Sequence, residues 1–314
     1  MPTIHQTTTV DLVRTVPRHS RPLGLSLVAL GVGSAVLALV GPLVGGALRY
    51  HVSAGATSQV VGGDVAGLLL VAPVSIAAGV LVLRGRLLGA ALGTGPAAYG
   101  LYTWFQLATT GDPARYPGTA SSFFPLLETL FVLAAWVLVR CWQELSRARP
   151  LPPASVVADR VTGVFLLVVA SFLVLGLHLP GLLALAQGRA TPELTADPGV
   201  FWVVKLMDLL LVVPLLLVAG TSLVRHPGRE GPLRYAVTGW STMLGAAVAG
   251  MAVVMTTRGD PGGSMAMTAA FSTFAVVAAV VTVQALGPLR DVPLAPEVPG
   301  RVGTKASGPV RPAV

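Results

Sequence analysis

Residues 68–79 read LLLVAPVSIAAG, and residues 209–220 read LLLVVPLLLVAG. Seven of the twelve positions are identical, among them Pro73 with Pro214 and Gly79 with Gly220. Neither string holds an ionisable group, and each sits inside a longer, largely apolar run, 65–83 and 200–224. Runs of about 18 to 25 such residues can cross a hydrocarbon layer of about 30 Å as helices. Lipid offers no partner to an open strand edge, so a helix is the expected form of each run.

Working outward from this pair gives eight candidate spans: 23–44, 65–83, 87–107, 123–139, 161–179, 200–224, 235–255 and 265–286. The first is longer than a signal-peptide core, shows no clear cleavage site and reads as an uncleaved span. Composition agrees with a membrane protein. Of the 314 residues, 54% are hydrophobic and 11% charged, against about 25% charged in a soluble domain. The mean hydropathy is +0.76, which excludes an ordinary soluble enzyme. Cys141 is the single cysteine, so neither an internal disulfide nor a cysteine-rich metal site is expected. The two lysines, Lys205 and Lys305, lie outside any glycine-rich phosphate-binding spacing. The net charge of +8 is dispersed among loops, which speaks for membrane orientation rather than a nucleic-acid partner.

Alternate connections divide the basic residues unequally. One set holds sixteen, including Arg84, Arg86, Arg140, Arg147, Arg160, Arg225 and Arg234; the other holds Arg49, Arg115, Arg189 and Arg258. By the positive-inside rule the arginine-rich set and both termini are cytoplasmic, and the expected location is the cell membrane. The expected organisation is a cytoplasmic tail at 1–22, a four-helix repeat at 23–139, a cytoplasmic linker at 140–160, a second four-helix repeat at 161–286 and a disordered, proline-rich tail at 287–314. An outer loop is expected near residues 45–64.

The matched strings imply an internal duplication, supported by Gly-Asp-Pro at 111–113 and again at 259–261. Four spans per half is even, so the halves are expected to run parallel, related by an axis along the membrane normal. The run 201–214, FWVVKLMDLLLVVP, resembles segments of uncharacterised multi-pass membrane proteins of actinobacteria and related bacteria, as do the 68–79 string and its arginine-rich turn. That resemblance implies an eight-span, all-α membrane protein with a duplicated four-helix unit. It implies no activity.

Three ionisable residues fall within the spans: Glu128, Lys205 and Asp208. At 1.5 Å per residue, Glu128 and Lys205 lie about 7 to 8 Å below the outer boundary and Asp208 about 12 Å below it. Unpaired charges there cost several kcal/mol, so an ion pair between Lys205 and Glu128 or Asp208 is expected. Read functionally, they line an outward-facing polar cavity; read structurally, they are a packing ion pair. Asp64 occupies the position equivalent to Lys205 in the first half. Pro73 and Pro214 remove backbone hydrogen bonds mid-span and are expected to kink both helices.

Two weaker patterns compete with plain packing. His51 and His178 are the only histidine pair at suitable depth for a haem, and Met207, Met251, Met255, Met265 and Met267 cluster toward the outer half, where thioethers hold Cu(I). Loop or helix-end histidines and adaptable packing are the commoner roles. Tyr99, Tyr102, Trp104, Tyr116 and Trp202 are expected in an outer aromatic belt. No catalytic residue, cofactor or metal is nominated. The partners expected are the lipid bilayer and a small polar solute or ion, with a transporter-like protein as the leading reading and a sensor, scaffold or export-system subunit as its rival.

Overall fold

The computed structural model describes residues 20–152, 155–228 and 231–294. Eight long helices form: α1 (Ser20–Val40), α2 (Ala54–Leu83), α3 (Leu87–Thr109), α4 (Ala120–Arg147), α5 (Val156–Ala186), α6 (Pro198–Arg225), α7 (Pro232–Arg258) and α8 (Met265–Leu289). All but α3 are long and apolar enough to cross a membrane, seven in total. The chain therefore has the build of a multi-pass membrane protein. Among the described residues no strand forms, only an isolated bridge between Arg86 and Pro293.

The least apolar helix is the most enclosed. Helix α3 has 23 residues, about 35 Å at 1.5 Å per residue. It carries Gly89, Gly93, Gly95 and Gly100, and it packs against α2, α4 and α7. Its low hydropathy follows from having protein rather than lipid on most sides. In lipid, helices associate through close packing, which small residues permit. A Cβ on Gly95 would lie 2.8 Å from the Gly239 carbonyl carbon of α7, and one on Gly62 of α2 would lie 2.3 Å from the Met251 backbone. The backbone of α7 thus touches that of α3 at one point and that of α2 at the other.

Helix pairings recur along the chain. Helix α1 packs on α2 as α5 packs on α6, and α3 on α4 as α7 on α8; α2 lies along α7, whereas α6 meets α3 only briefly. Glycines mediate the first pair of these in each half. A Cβ on Gly79 would lie 2.6 Å from the Gly24 carbonyl oxygen, and one on Gly220 would lie 2.9 Å from that of Gly163.

The prolines act through the turn before them. Helices α2 and α6 widen to π-helix at Gly67–Val71 and Asp208–Val212, each ending two residues before Pro73 or Pro214. A proline ring displaces the carbonyl four residues earlier, and a π turn accommodates that displacement. The same device precedes Pro180 in α5, at Phe172–His178.

Three expected boundaries move. The outer loop expected to reach residue 64 stops at Ser53, whose side chain accepts the Ala56 N–H and caps α2; Asp64 is therefore ten residues inside the helix. The expected 140–160 linker shrinks, because α4 runs to Arg147 and α5 starts at Val156, where the Ser155 side chain accepts the Ala158 N–H and caps it. The tail expected to be disordered from 287 instead packs through 294, with Leu289 and Leu294 buried. There Leu87 N–H donates to the Val292 carbonyl at 3.0 Å and Leu294 N–H to the Gly85 carbonyl at 2.9 Å. The remaining expected tail segments, 1–19 and 295–314, lie outside the described residues.

Replacing Gly62 by leucine forces apart two backbones and is expected to cost about 1–3 kcal/mol or more. Gly287→Ala, where a Cβ meets nothing within 4 Å, should leave thermal unfolding in detergent close to the parent. Equal unfolding temperatures for the two variants would contradict the close packing of α2 on α7.

Candidate functional site

Among the described residues, two polar places lie toward the arginine-poor end of the bundle, apart from the buried Asp159–Arg234 ion pair (2.9 Å) near its arginine-rich end. The first is a cavity of about 380 Å³ at the arginine-poor end, bounded by α1, α2, α3 and the segment from Thr110 to Ser121. Ser34, Asp64, Gly67 and Tyr99 line its deep part, and His51, Gly111, Pro113 and Ser121 its shallow part. Phe124 and Leu127 of α4, Val200 and Val204 of α6 and Met251 of α7 add to the wall.

Asp64 is 7% exposed, and its Oδ2 has no hydrogen-bond partner among the described residues. Its carboxylate accepts the Leu43 backbone N–H. A Cβ on Gly41 would lie 2.7 Å from Oδ2, so glycine there lets the end of α1 pass the carboxylate. Tyr50, 8% exposed, also lines the cavity with an unpartnered hydroxyl. Burial first, and then the nearby Asp64 charge, push its phenol above the ordinary tyrosine value, so it stays a hydroxyl donor.

Hydrogen bonds strap the shallow rim in place. His51 Nδ1 lies 2.9 Å from the Tyr116 carbonyl and Nε2 lies 3.2 Å from Ser121 Oγ. Thr119 Oγ1 donates to the Ala47 carbonyl at 2.6 Å. The two halves are tied here as well. Ser53 donates through N–H and Oγ to the two carboxylate oxygens of Asp197, at the start of α6. Tyr116 OH donates to the Ala196 carbonyl at 2.8 Å.

The second place is closed. Tyr102 OH donates to Asp208 Oδ1 at 2.6 Å, and His178 Nε2 lies 2.8 Å from Asp208 Oδ2. Tyr102, Asp208 and His178 are 7%, 5% and 2% exposed. Each carboxylate oxygen thus has a partner, as a buried carboxylate requires. The aspartate sits on α6, the tyrosine on α3 and the histidine at the π turn of α5.

The expected charge cluster does not assemble. Lys205 makes no ion pair among the described residues; its ammonium lies 3.8 Å from the Phe201 ring centroid. Glu128 is exposed on α4, away from the cavity. The partner expected in Lys205 is supplied to Asp208 by Tyr102 and His178. Of the nominated residues only Asp64 lines the cavity. His51 and His178 are engaged separately, so they do not form a haem pair, and Met207 is buried while Met265 is 73% exposed. The aromatic belt is also corrected: Tyr99, Tyr102 and Trp104 are buried, whereas Trp202 is 52% exposed. No protein family, curated protein or solved structure matches the chain.

The triad generates a test by double-mutant cycle in detergent. Tyr102→Phe leaves Asp208 Oδ1 short of a donor, an expected loss of about 1–3 kcal/mol. Tyr102→Phe and Asp208→Asn should be non-additive by about 0.5–3 kcal/mol, while Lys205→Met, which removes a nearby charge but no hydrogen bond, should couple to Asp208→Asn more weakly. Coupling to Lys205 in place of Tyr102 would overturn this arrangement.

Proposed function

We propose that the protein is a transporter-like protein of the cell membrane that takes a small polar solute or ion into an outward-facing cavity. In this reading all eight helices span, the halves are a parallel duplication, and both termini are cytoplasmic. The arginine distribution supports the orientation. The recurring helix pairings and the π turns placed alike before Pro73 and Pro214 support the duplication. One observation carries the function: a buried carboxylate, Asp64, lines a cavity with one oxygen unpartnered. Buried polar groups are almost always satisfied, and an intramembrane ionisable group in a cavity marks a solute or ion path.

The rival reading, a non-catalytic sensor or scaffold, is favoured by the closed Tyr102–Asp208–His178 triad, which is built as a packing element. Cysteine labelling in a Cys141→Ala background separates the two. Ala190→Cys should react with an impermeant thiol reagent on intact cells and Asp291→Cys only after lysis; the reverse would overturn the orientation. Ser34→Cys, deep in the cavity, should react from the outside, and in a transporter also from the inside of inverted vesicles. Reaction from the outside alone would favour the sensor, and reaction from neither side would remove the cavity as a site.

A further inference from the structure

We propose that the cavity selects a small organic cation, a compact ammonium group carrying an apolar body, with Asp64 as its counter-charge and Tyr50, Tyr99 and Trp104 as aromatic walls. This rests on the preceding reading that the cavity takes a solute from outside.

The charge of the lining decides the sign. Asp64 is its one carboxylate, and neither arginine nor lysine lines it. The single histidine, His51, has both ring nitrogens occupied by the rim. Ionised opposite a bound cation, the Asp64 carboxylate holds a positive guest and repels anions. The second unsatisfied group, the Tyr50 hydroxyl, does not neutralise it.

The donor set then decides which kind of cation. Calcium takes six to eight oxygen ligands, commonly from several carboxylates, and magnesium demands an octahedron. One aspartate among largely apolar neighbours supplies neither, and among the described residues no group of three His, Cys, Asp or Glu side chains gathers. An organic ammonium has different needs. It wants one counter-charge and aromatic faces for its carbon-bound, weakly hydrated surface. Tyr50, Tyr99 and Trp104 line the cavity and are buried to 8%, 3% and 3% exposure. The Tyr99 hydroxyl lies beside Asp64 on α2, since a Cβ on the adjacent Gly63 would be 3.8 Å from it. At about 380 Å³, the cavity is near the small end of the roughly 300–1,000 Å³ usual for ligand sites, which limits the guest to a few carbon atoms beyond the charged head.

Thr103 lines the same cavity, and Thr103→Cys in a Cys141→Ala background reports on it in reconstituted full-length protein. Cationic and anionic methanethiosulfonates are compared, each rate divided by its rate with a free thiol in solution. The cationic reagent should be favoured about tenfold or more, and Asp64→Asn should abolish the preference while Glu128→Gln keeps it. Choline, used as the probe, should protect the cysteine, and its uncharged isostere 3,3-dimethylbutanol at the same concentration should not. Equal normalised rates, or equal protection by both compounds, would overturn the cation assignment while leaving an open cavity. Reaction with neither reagent would overturn the reading of the cavity itself. Should Asp64→Asn fail to fold, the protection comparison in the parent decides alone.

Discussion

At Gly95 and Gly239 the backbones of α3 and α7 are in contact, and the other helices are arranged around that crossing. Lipid is as apolar as leucine, so no hydrophobic gain drives one buried helix against another; proximity itself must supply the attraction. Any side chain at either glycine would part the pair. The contact also aims the functional side chains. Tyr99 and Tyr102, one turn apart on α3, face different aspartates: the first lines the Asp64 cavity and the second binds Asp208. A shift of α3 along α7 would disturb both at once.

Helices α2 and α6 carry different chemistry at the positions their similar strings align. Gly67 and Asp208 each open a π turn at matched positions of α2 and α6. Gly67 has no side chain and lines the cavity. Asp208 fills the corresponding volume and is sealed by Tyr102 and His178. Space exists on one side because a glycine leaves it, and is closed on the other because a carboxylate there demands two partners. The neighbouring matched pair repeats the contrast: Asp64 is held in the protein interior, while Lys205 rests on the Phe201 ring.

Much of the architecture was legible because a membrane restricts the chain to few solutions. The apolar runs located the helices, and the matched prolines marked two of the three places where helical geometry widens among the described residues. Legibility failed where polar residues are buried by protein. The stretch 54–64, rich in Ser, Thr, Gln and Gly, reads as loop because its hydropathy is low, yet it is helical because α7 covers it. Asp64 therefore lies at the cavity, not at its rim. Distance to a span end puts Tyr102 in an outer belt and His178 at a helix end, but that coordinate says nothing about direction around the helix axis. The spacing of Tyr99 and Tyr102 on a glycine-rich helix was the available signal, since glycine-lined helices are enclosed ones.

The segment from Gly287 to Leu294 crosses from the last helix to the turn between α2 and α3, where Arg84-Gly85-Arg86 reverse the chain. That placement orders events in time. A ribosome completes the first four helices long before it adds residue 294, so the turn at Gly85 must wait, open, through the insertion of every later helix. The Gly85 carbonyl and the Leu87 N–H gain their partners only when residues 292–294 arrive. The early half is thus released by the translation machinery in a provisional form. A message truncated after α7 would leave that turn unlatched, a defect located about 170 residues upstream of the break.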